Sequence, residues 1–195
     1  MTLENVMDKV EKYINESRTM TLDYIEQSNE LSQKVNEGMR GQNEVHEQLG
    51  RIREDNFNVL LDKSQALQSE LESAKEQELK KIEENTEPIT ADTLAELELL
   101  SQLELDNETM SEYINKYKRS PLALKKLQEI SRDKKLMSQF PPSKKEYLNI
   151  VAGRISSKVS SFSRPNYDEY GVKVDMLADG AISSLKEDVS YFNSL

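Results

Sequence analysis

The sequence has 195 residues, no cysteine and one histidine, and its 36 acidic and 26 basic side chains give a formal net charge of −10. Hydrophobic residues make up 36% of the chain and charged residues 32%, which is more polar than a typical globular domain and excludes one large core. The lack of cysteine excludes disulfide scaffolds, thiol nucleophiles and thiolate metal sites. The acidic N-terminus has no basic or long apolar region, so we expect a cytoplasmic protein with no membrane segment.

An apolar ladder runs through the first part of the chain, with steps of four and three residues from Leu3 to Ala74. Such a narrow stripe is typical of a coiled-coil seam rather than of the broader face of a globular helix. Because the stripe needs a partner helix, we predict a homo-oligomer whose oligomerisation seam is formed by Leu3, Met7, Val10, Ile14, Tyr24, Leu31, Val35, Val45, Leu49, Ile52, Leu60, Leu67 and Leu71. Polar ladder positions such as Ser17 and Thr21 either restrict the register or are exposed where the seam opens, and exposure is favoured.

Glycines interrupt this segment and leave two alternatives. Either one helix continues from about Leu3 to Glu84, or the chain turns between Gly38 and Gly41 to form two antiparallel helices. The ladder keeps its phase across the glycines, which favours the continuous helix.

All five prolines lie beyond residue 87, which predicts a long helical coiled-coil segment over 1–87 and a C-terminal helical domain over 88–195. The junction is expected at Glu87-Pro88, with Thr90 or Asp92 capping a new helix. The fold class is therefore all-α, with a long N-terminal coiled coil, continuous or hairpin, followed by a cluster of about five shorter helices.

Capping residues mark these shorter helices. The first contains Leu94, Leu97, Leu100 and Leu103, and Asp106 or Asn107 caps the second, which contains Met110, Tyr113, Ile114 and Tyr117. Ser120-Pro121 begins the third, with Ala123, Leu124, Leu127, Ile130 and Met137. Ser143, after Pro141-Pro142, caps the fourth, with Leu148, Val151, Ile155, Val159 and Phe162, and the last contains Val174, Leu177, Ala181, Leu185, Val189 and Phe192.

A basic block lies inside this acidic chain. Residues 86–115 carry eight acids and no base, whereas residues 116–164 carry 13 bases and three acids. One interpretation is a patch for an anionic partner such as nucleic acid, formed by Lys116, Lys118, Arg119, Lys125, Lys126, Arg132, Lys134, Lys135, Lys144 and Lys145. The other, which is favoured because the net charge repels polyanions, is that the block neutralises the acidic helices.

The sequence shows no pattern of catalytic or cofactor-binding residues. His46 is the only histidine, and the phosphate-binding glycine loops and the nucleophile elbow are missing. We therefore predict no enzyme activity, no catalytic or metal site, no cofactor and no small-molecule substrate.

The connection before the last helix is a candidate recognition loop. It combines Arg164 with Tyr167 and Tyr170, residue types that are common among interface anchors. The alternative is that both tyrosines pack back on neighbouring helices.

The stretch EYINKYKRSPLALKKL, residues 112–127, follows an acidic leucine-rich helix. It resembles small helical proteins of tailed phages and prophages of Gram-positive bacteria, and the N-terminal segment is similar in style to phage scaffolding proteins. The resemblance implies association with capsid or tail components and a virion-associated location if the protein is phage-encoded.

These features together predict a structural, scaffolding or assembly protein. It is expected to self-associate through the coiled coil and to bind another macromolecule, in the first place a protein, through its C-terminal helices. A nucleic-acid-binding protein that uses residues 116–164 is the alternative.

Overall fold

The computed structural model describes residues 2–86, 89–164, 167 and 171–195, and all regular structure in these ranges is helical. The helices are α1 (Leu3–Asn36), α2 (Gln42–Glu84), α3 (Ala91–Gln102), α4 (Asn107–Lys116), α5 (Pro121–Asp133), α6 (Lys144–Phe162) and α7 (Gly171–Ser194). The predicted fold class, all-α with long N-terminal helices followed by five shorter ones, is confirmed.

The favoured continuous N-terminal helix is wrong, because the chain turns between Asn36 and Gln42. The Gly38 amide donates to the Val35 carbonyl at 3.0 Å, and the Met39 amide donates to the Lys34 carbonyl at 2.9 Å. This pair of bonds is a Schellman motif, which requires a left-handed residue after the last helical turn, and Gly38 takes φ +71°. Each helix carries its own apolar stripe, and the turn does not constrain the phase of one relative to the other, so a continuous phase is not evidence for a continuous helix.

The shorter helices begin at the residues that the capping signals predict. The side chains of Thr90 and Asp106 accept hydrogen bonds from the amides of the third residue after them, Thr93 and Thr109. Pro121 is the first residue of α5. These helix ends follow from local hydrogen bonding, which is why the sequence alone places them well.

The chain groups into two compact units whose bounds differ from the predicted 1–87 and 88–195. The bundle unit comprises the residues up to Glu78 together with Leu148–Ser194, and the three-helix unit comprises Leu79–Tyr147. The three-helix unit is thus an insertion, in sequence order, between helices of the bundle. The predicted boundary residues Glu87 and Pro88 lie outside the described residues.

The bundle unit is a four-helix bundle of α1, α2, α6 and α7. Ion pairs Lys9–Glu70 and Glu16–Lys63 show that α1 and α2 are antiparallel. Helices α1 and α7 are antiparallel too, because Asn193 contacts Glu4 near the start of α1 whereas Asp179 contacts Arg18 further along it. Gln68 contacts Ser160 and Arg154 contacts Asp188, so the helices close into a ring in the order α1, α2, α6, α7.

The predicted oligomerisation seam is covered by the protein's own chain. Ten of its members are buried, namely Leu3, Met7, Val10, Ile14, Tyr24, Leu31, Val45, Leu60, Leu67 and Leu71. The other three, Val35, Leu49 and Ile52, are half-buried. The prediction treated the stripe as two positions wide, but Val6 and Tyr13 are also buried, so the face of α1 is as broad as that of a bundle helix. These residues are therefore core residues rather than a free seam.

A polar contact at the centre of the bundle joins three helices. The Tyr13 hydroxyl of α1 lies 3.2 Å from the Val159 carbonyl of α6 and 3.4 Å from the Leu60 carbonyl of α2. Ser17 donates to the Phe162 carbonyl at 2.8 Å and Thr21 donates to the Ser17 carbonyl at 2.7 Å, so these two polar ladder residues are buried and bonded rather than exposed. Of the other polar ladder positions, Ser28 and Asn56 are half-buried and Gln42 is exposed. Burial raises the pKa of Tyr13 to about 12.

The three-helix unit has its own small core. Helices α3, α4 and α5 contribute its buried members, which are Leu97, Leu100, Met110, Ile114, Ala123, Leu124, Leu127 and Ile130. Four residues expected on buried helix faces are exposed instead: Leu94, Leu103 and Met137 in this unit, and Leu177 in the bundle. Met137 follows the end of α5 and so no longer shares its face.

Candidate macromolecular interface

Most of the predicted anionic-partner patch lies on or beside α5. Lys116 ends α4, Lys118 and Arg119 lie in the connection to α5, and Lys144 and Lys145 begin α6. The remaining members are Lys125, Lys126 and Arg132 within α5, and Lys134 and Lys135 just after it.

Helix α5 presents its basic residues opposite its buried face. Ala123, Leu124, Leu127 and Ile130 pack into the core of the unit. Lys125 and Arg132 are seven residues apart and both exposed, so they project from the outer face about two turns from each other. The local fold therefore displays the charges that the sequence grouped.

Hydrogen bonds at the end of α5 fix the backbone of Lys134 and Lys135. The Lys135 amide donates to the Arg132 carbonyl at 3.1 Å, and the Leu136 amide donates to the Ser131 carbonyl at 2.9 Å. This is a second Schellman motif, but Lys135 rather than glycine holds its left-handed position, with φ 57°. Cations at this end are favourable, because the last carbonyls of a helix carry partial negative charge.

Lys116 is neutralised by its own unit. Its ammonium and the Tyr117 hydroxyl both donate to the Glu96 carboxylate of α3, and the ammonium lies 5.1 Å from the centre of the Tyr117 ring. The hydrogen bond from Lys116, followed by that from Tyr117, lowers the pKa of Glu96, and the same bond to Glu96 raises the pKa of Lys116. This contact joins α3 to α4.

Two further members are paired: Lys126 with Glu129 at 3.4 Å, and Lys145 with Glu83 at 3.3 Å. The favoured interpretation of the block, neutralisation of acidic helices, thus describes Lys116 and Lys145. In the ranges that the structure describes, six other members have no ion pair. We refer to this group as the basic surface: Lys118, Arg119, Lys125, Arg132, Lys134 and Lys135.

Two described residues of the candidate recognition loop, Arg164 and Tyr167, pack on the α1–α2 hairpin. The Tyr167 ring lies 4.3 Å from the Tyr24 ring, and the Arg53 guanidinium lies over both rings at 5.4 and 4.9 Å. Arg164 lies over Phe57 at 6.0 Å. Tyr167 therefore follows the alternative of packing back on the helices, and Tyr170 lies outside the described residues.

The bundle also has an open groove between α6 and α7. Ile150, Gly153, Ser157 and Ser184 line it, together with Arg154, which pairs with the buried carboxylate of Asp188. Among the described residues, no group of three or more His, Cys, Asp or Glu side chains is arranged to hold a metal ion. None of the helices in those same ranges is both long enough and apolar enough to span a membrane.

Comparisons with known proteins give no relative. No protein-family model matches the sequence, and no curated protein and no solved structure matches it either.

One exposed apolar feature of the three-helix unit was not predicted from the sequence. Leu94 and Leu99 of α3, and Leu103 at its C-cap, are exposed. The signal was available, because the leucines at 94, 97, 99, 100 and 103 surround the helix and one core can cover only part of its circumference.

Proposed function

We propose that the protein is a non-enzymatic structural or assembly protein that binds another macromolecule through the basic surface of its three-helix unit. The observation that carries this proposal is the set of six basic side chains around α5 that have no ion pair among the described residues. The chain as a whole is acidic, so this surface is not a consequence of general basicity.

An anionic partner stabilises such a surface. Like charges on neighbouring positions repel one another, and a partner that brings carboxylates or phosphates relieves this repulsion while it gains attraction. In the bundle unit, by contrast, cations such as Lys9 and Lys186 already pair with carboxylates on neighbouring helices. The basic surface is therefore the part of the described molecule best suited to an anionic macromolecule.

An assembly role agrees with the kind of protein that residues 112–127 resemble, since that stretch contains Lys118, Arg119 and Lys125 of the basic surface. In this proposal the three-helix unit makes the contact with the partner. The setting would be the cytoplasm or, for a phage-encoded protein, a capsid or tail.

Binding to a labelled polyglutamate peptide tests the proposal. Fluorescence anisotropy is expected to show binding that weakens steeply between about 50 and about 200 mM salt. The double variant Lys125→Glu with Arg132→Glu is expected to bind at least about tenfold more weakly. Its matched control, Lys34→Glu with Lys158→Glu, makes the same change in net charge at exposed sites outside this surface and should bind as the wild type does.

Two outcomes would contradict the proposal. Equal affinity in the two double variants would show that only net charge matters. A labelled DNA duplex bound more tightly than polyglutamate at the same salt would instead identify the protein as nucleic-acid-binding, the alternative function.

A further inference from the structure

Helix α3 carries a surface opposite in charge to the basic surface. Its exposed acids are Asp92 and Glu98, with Glu104 just beyond its end, and in the described ranges none of the three forms an ion pair. Between them lie exposed leucines, of which Leu99 is 57% accessible. We refer to these acids, together with Leu94, Leu99 and Leu103, as the acidic surface.

The basic surface has exposed apolar residues beside it as well. Leu122, on the first turn of α5, is 49% accessible, and Met137, two residues after Lys135, is 92% accessible. Each surface thus combines one sign of charge with exposed large apolar side chains, and a partner of the opposite charge would neutralise the charges while it covers the apolar residues.

The three-helix unit cannot bring its two surfaces together by itself. Helices α3 and α5 pack against each other through Leu97, Leu100, Leu124 and other core residues. Because the acidic and basic surfaces lie outside that shared core, they face away from it. A contact between the two surfaces therefore requires a second molecule.

We infer that the partner of the basic surface is the acidic surface of another copy of this chain. The inference rests on the proposed function and names its macromolecule. Charge complementarity carries it: Asp92, Glu98 and Glu104 on one copy meet the bases of α5 on the next, and the exposed apolar residues of both surfaces become covered.

Such a contact is head to tail. Each copy uses one surface for the preceding copy and one for the following copy, so that growth continues unless the rotation closes a ring. This is the form of association that an assembly protein needs.

Variants that destroy one surface at a time test the inference by light scattering of the full chain. For the wild type, the average mass is expected to rise with concentration at low salt and to fall when salt is added. The basic-surface variant, Lys125→Glu with Arg132→Glu, and the acidic-surface variant, Glu98→Lys with Glu104→Lys, are each expected to associate at least about tenfold more weakly. An equimolar mixture of the two should associate again, because the first keeps a native acidic surface and the second a native basic surface.

Matched control variants separate the effect of net charge from the effect of the position of the substitution. Lys34→Glu with Lys158→Glu, and Glu26→Lys with Glu30→Lys, change the net charge equally at exposed positions of the bundle and should associate like the wild type. If a reversal lowers the helical content, the neutral pair Glu98→Gln with Glu104→Gln replaces it and should act in the same direction.

The results separate this inference from the proposed function. A wild type that stays monomeric at every concentration but binds polyglutamate through α5 would overturn the inference and leave the proposed function standing. Self-association that survives in both single-surface variants would also overturn the inference, because another surface would then be responsible.

Discussion

The bundle unit and the three-helix unit use charge in different ways. In the bundle, opposite charges alternate around the ring of helices, with Lys9–Glu70 joining α1 to α2 and Lys186–Glu11 joining α7 to α1. In the three-helix unit, acids are concentrated on α3 and α4 and bases on α5 and its flanks, and the Glu96–Lys116 pair joins α3 to the end of α4.

These two charge patterns suit the units for different roles. Alternating charges restrict the alignment of neighbouring helices, although each exposed pair contributes little stability. Segregated charges leave a surface whose attraction can be satisfied by a second molecule. The long N-terminal stripe predicted a seam for a second molecule, but the bundle covers most of it. The basic surface, whose members have no ion pair in the described ranges, lies in the three-helix unit.

The two units also share one motif with different residues. Gly38 in the bundle unit and Lys135 in the three-helix unit both hold the left-handed position of a Schellman motif. Glycine adopts this conformation without steric cost, whereas a lysine side chain does so at a cost of about 1 kcal/mol. The lysine therefore places a cation at the end of α5 at some expense in stability.

The largest expected effect concerns the bundle core. Ile14→Ala is expected to lower the free energy of unfolding by about 2–5 kcal/mol, because Ile14 is fully buried and its loss leaves a cavity. Ile52→Ala, at a half-buried position of the same stripe, should cost about 1 kcal/mol. Urea denaturation followed by circular dichroism measures both.

The same experiment separates a core from an intermolecular seam. If Ile14 is covered within one molecule, the difference between variant and wild type is the same at low and high protein concentration. A difference that grows with dilution would show that the stripe binds another chain after all.

An intermediate effect is expected in alkali. Tyr13 has a folded pKa of about 12, against 10.0 for an ordinary tyrosine, so the unfolded chain loses its proton first as the pH rises. Its contribution is fully present below pH 10 and is lost between about pH 10 and 12, a total of about 2–3 kcal/mol.

Comparison of urea midpoints for the wild type and Tyr13→Phe across this pH range measures that contribution. The Tyr13→Phe variant should lack this part of the loss of stability at high pH. Tyr191→Phe, which removes the hydroxyl of an exposed tyrosine, serves as the control, and a loss equal in all three proteins would contradict the assignment to Tyr13.

The smallest expected effect concerns the two Schellman motifs. Lys135→Gly should raise the free energy of unfolding by about 0.5–1 kcal/mol because it removes the left-handed strain. The reciprocal change, Gly38→Lys, should lower it by a similar amount, since there is open space around Gly38 and only its backbone conformation opposes a side chain. Thermal denaturation measures both, and a loss of stability in Lys135→Gly would contradict the role given to that residue.

The basic and acidic surfaces could be predicted from the sequence only in part. The grouping of bases around α5 is visible in the sequence, because it depends on the order of residues alone. The pairing of Lys116 with Glu96, 20 residues earlier in the chain, and the exposure of Leu99 depend on which helices pack together. The sequence thus shows that some leucines of α3 must be exposed, but only the packing of the helices decides which ones.

The sequence alone was sufficient to place the starts of the shorter helices. Thr90, Asp106 and Pro121 act through hydrogen bonds and dihedral angles within one turn, so their effect does not depend on distant residues. What covers the N-terminal stripe, by contrast, depends on how the helices pack in the tertiary structure. A repeat of apolar residues states that a helix face must be buried but does not specify the partner, and here α2, α6 and α7 of the same chain bury it.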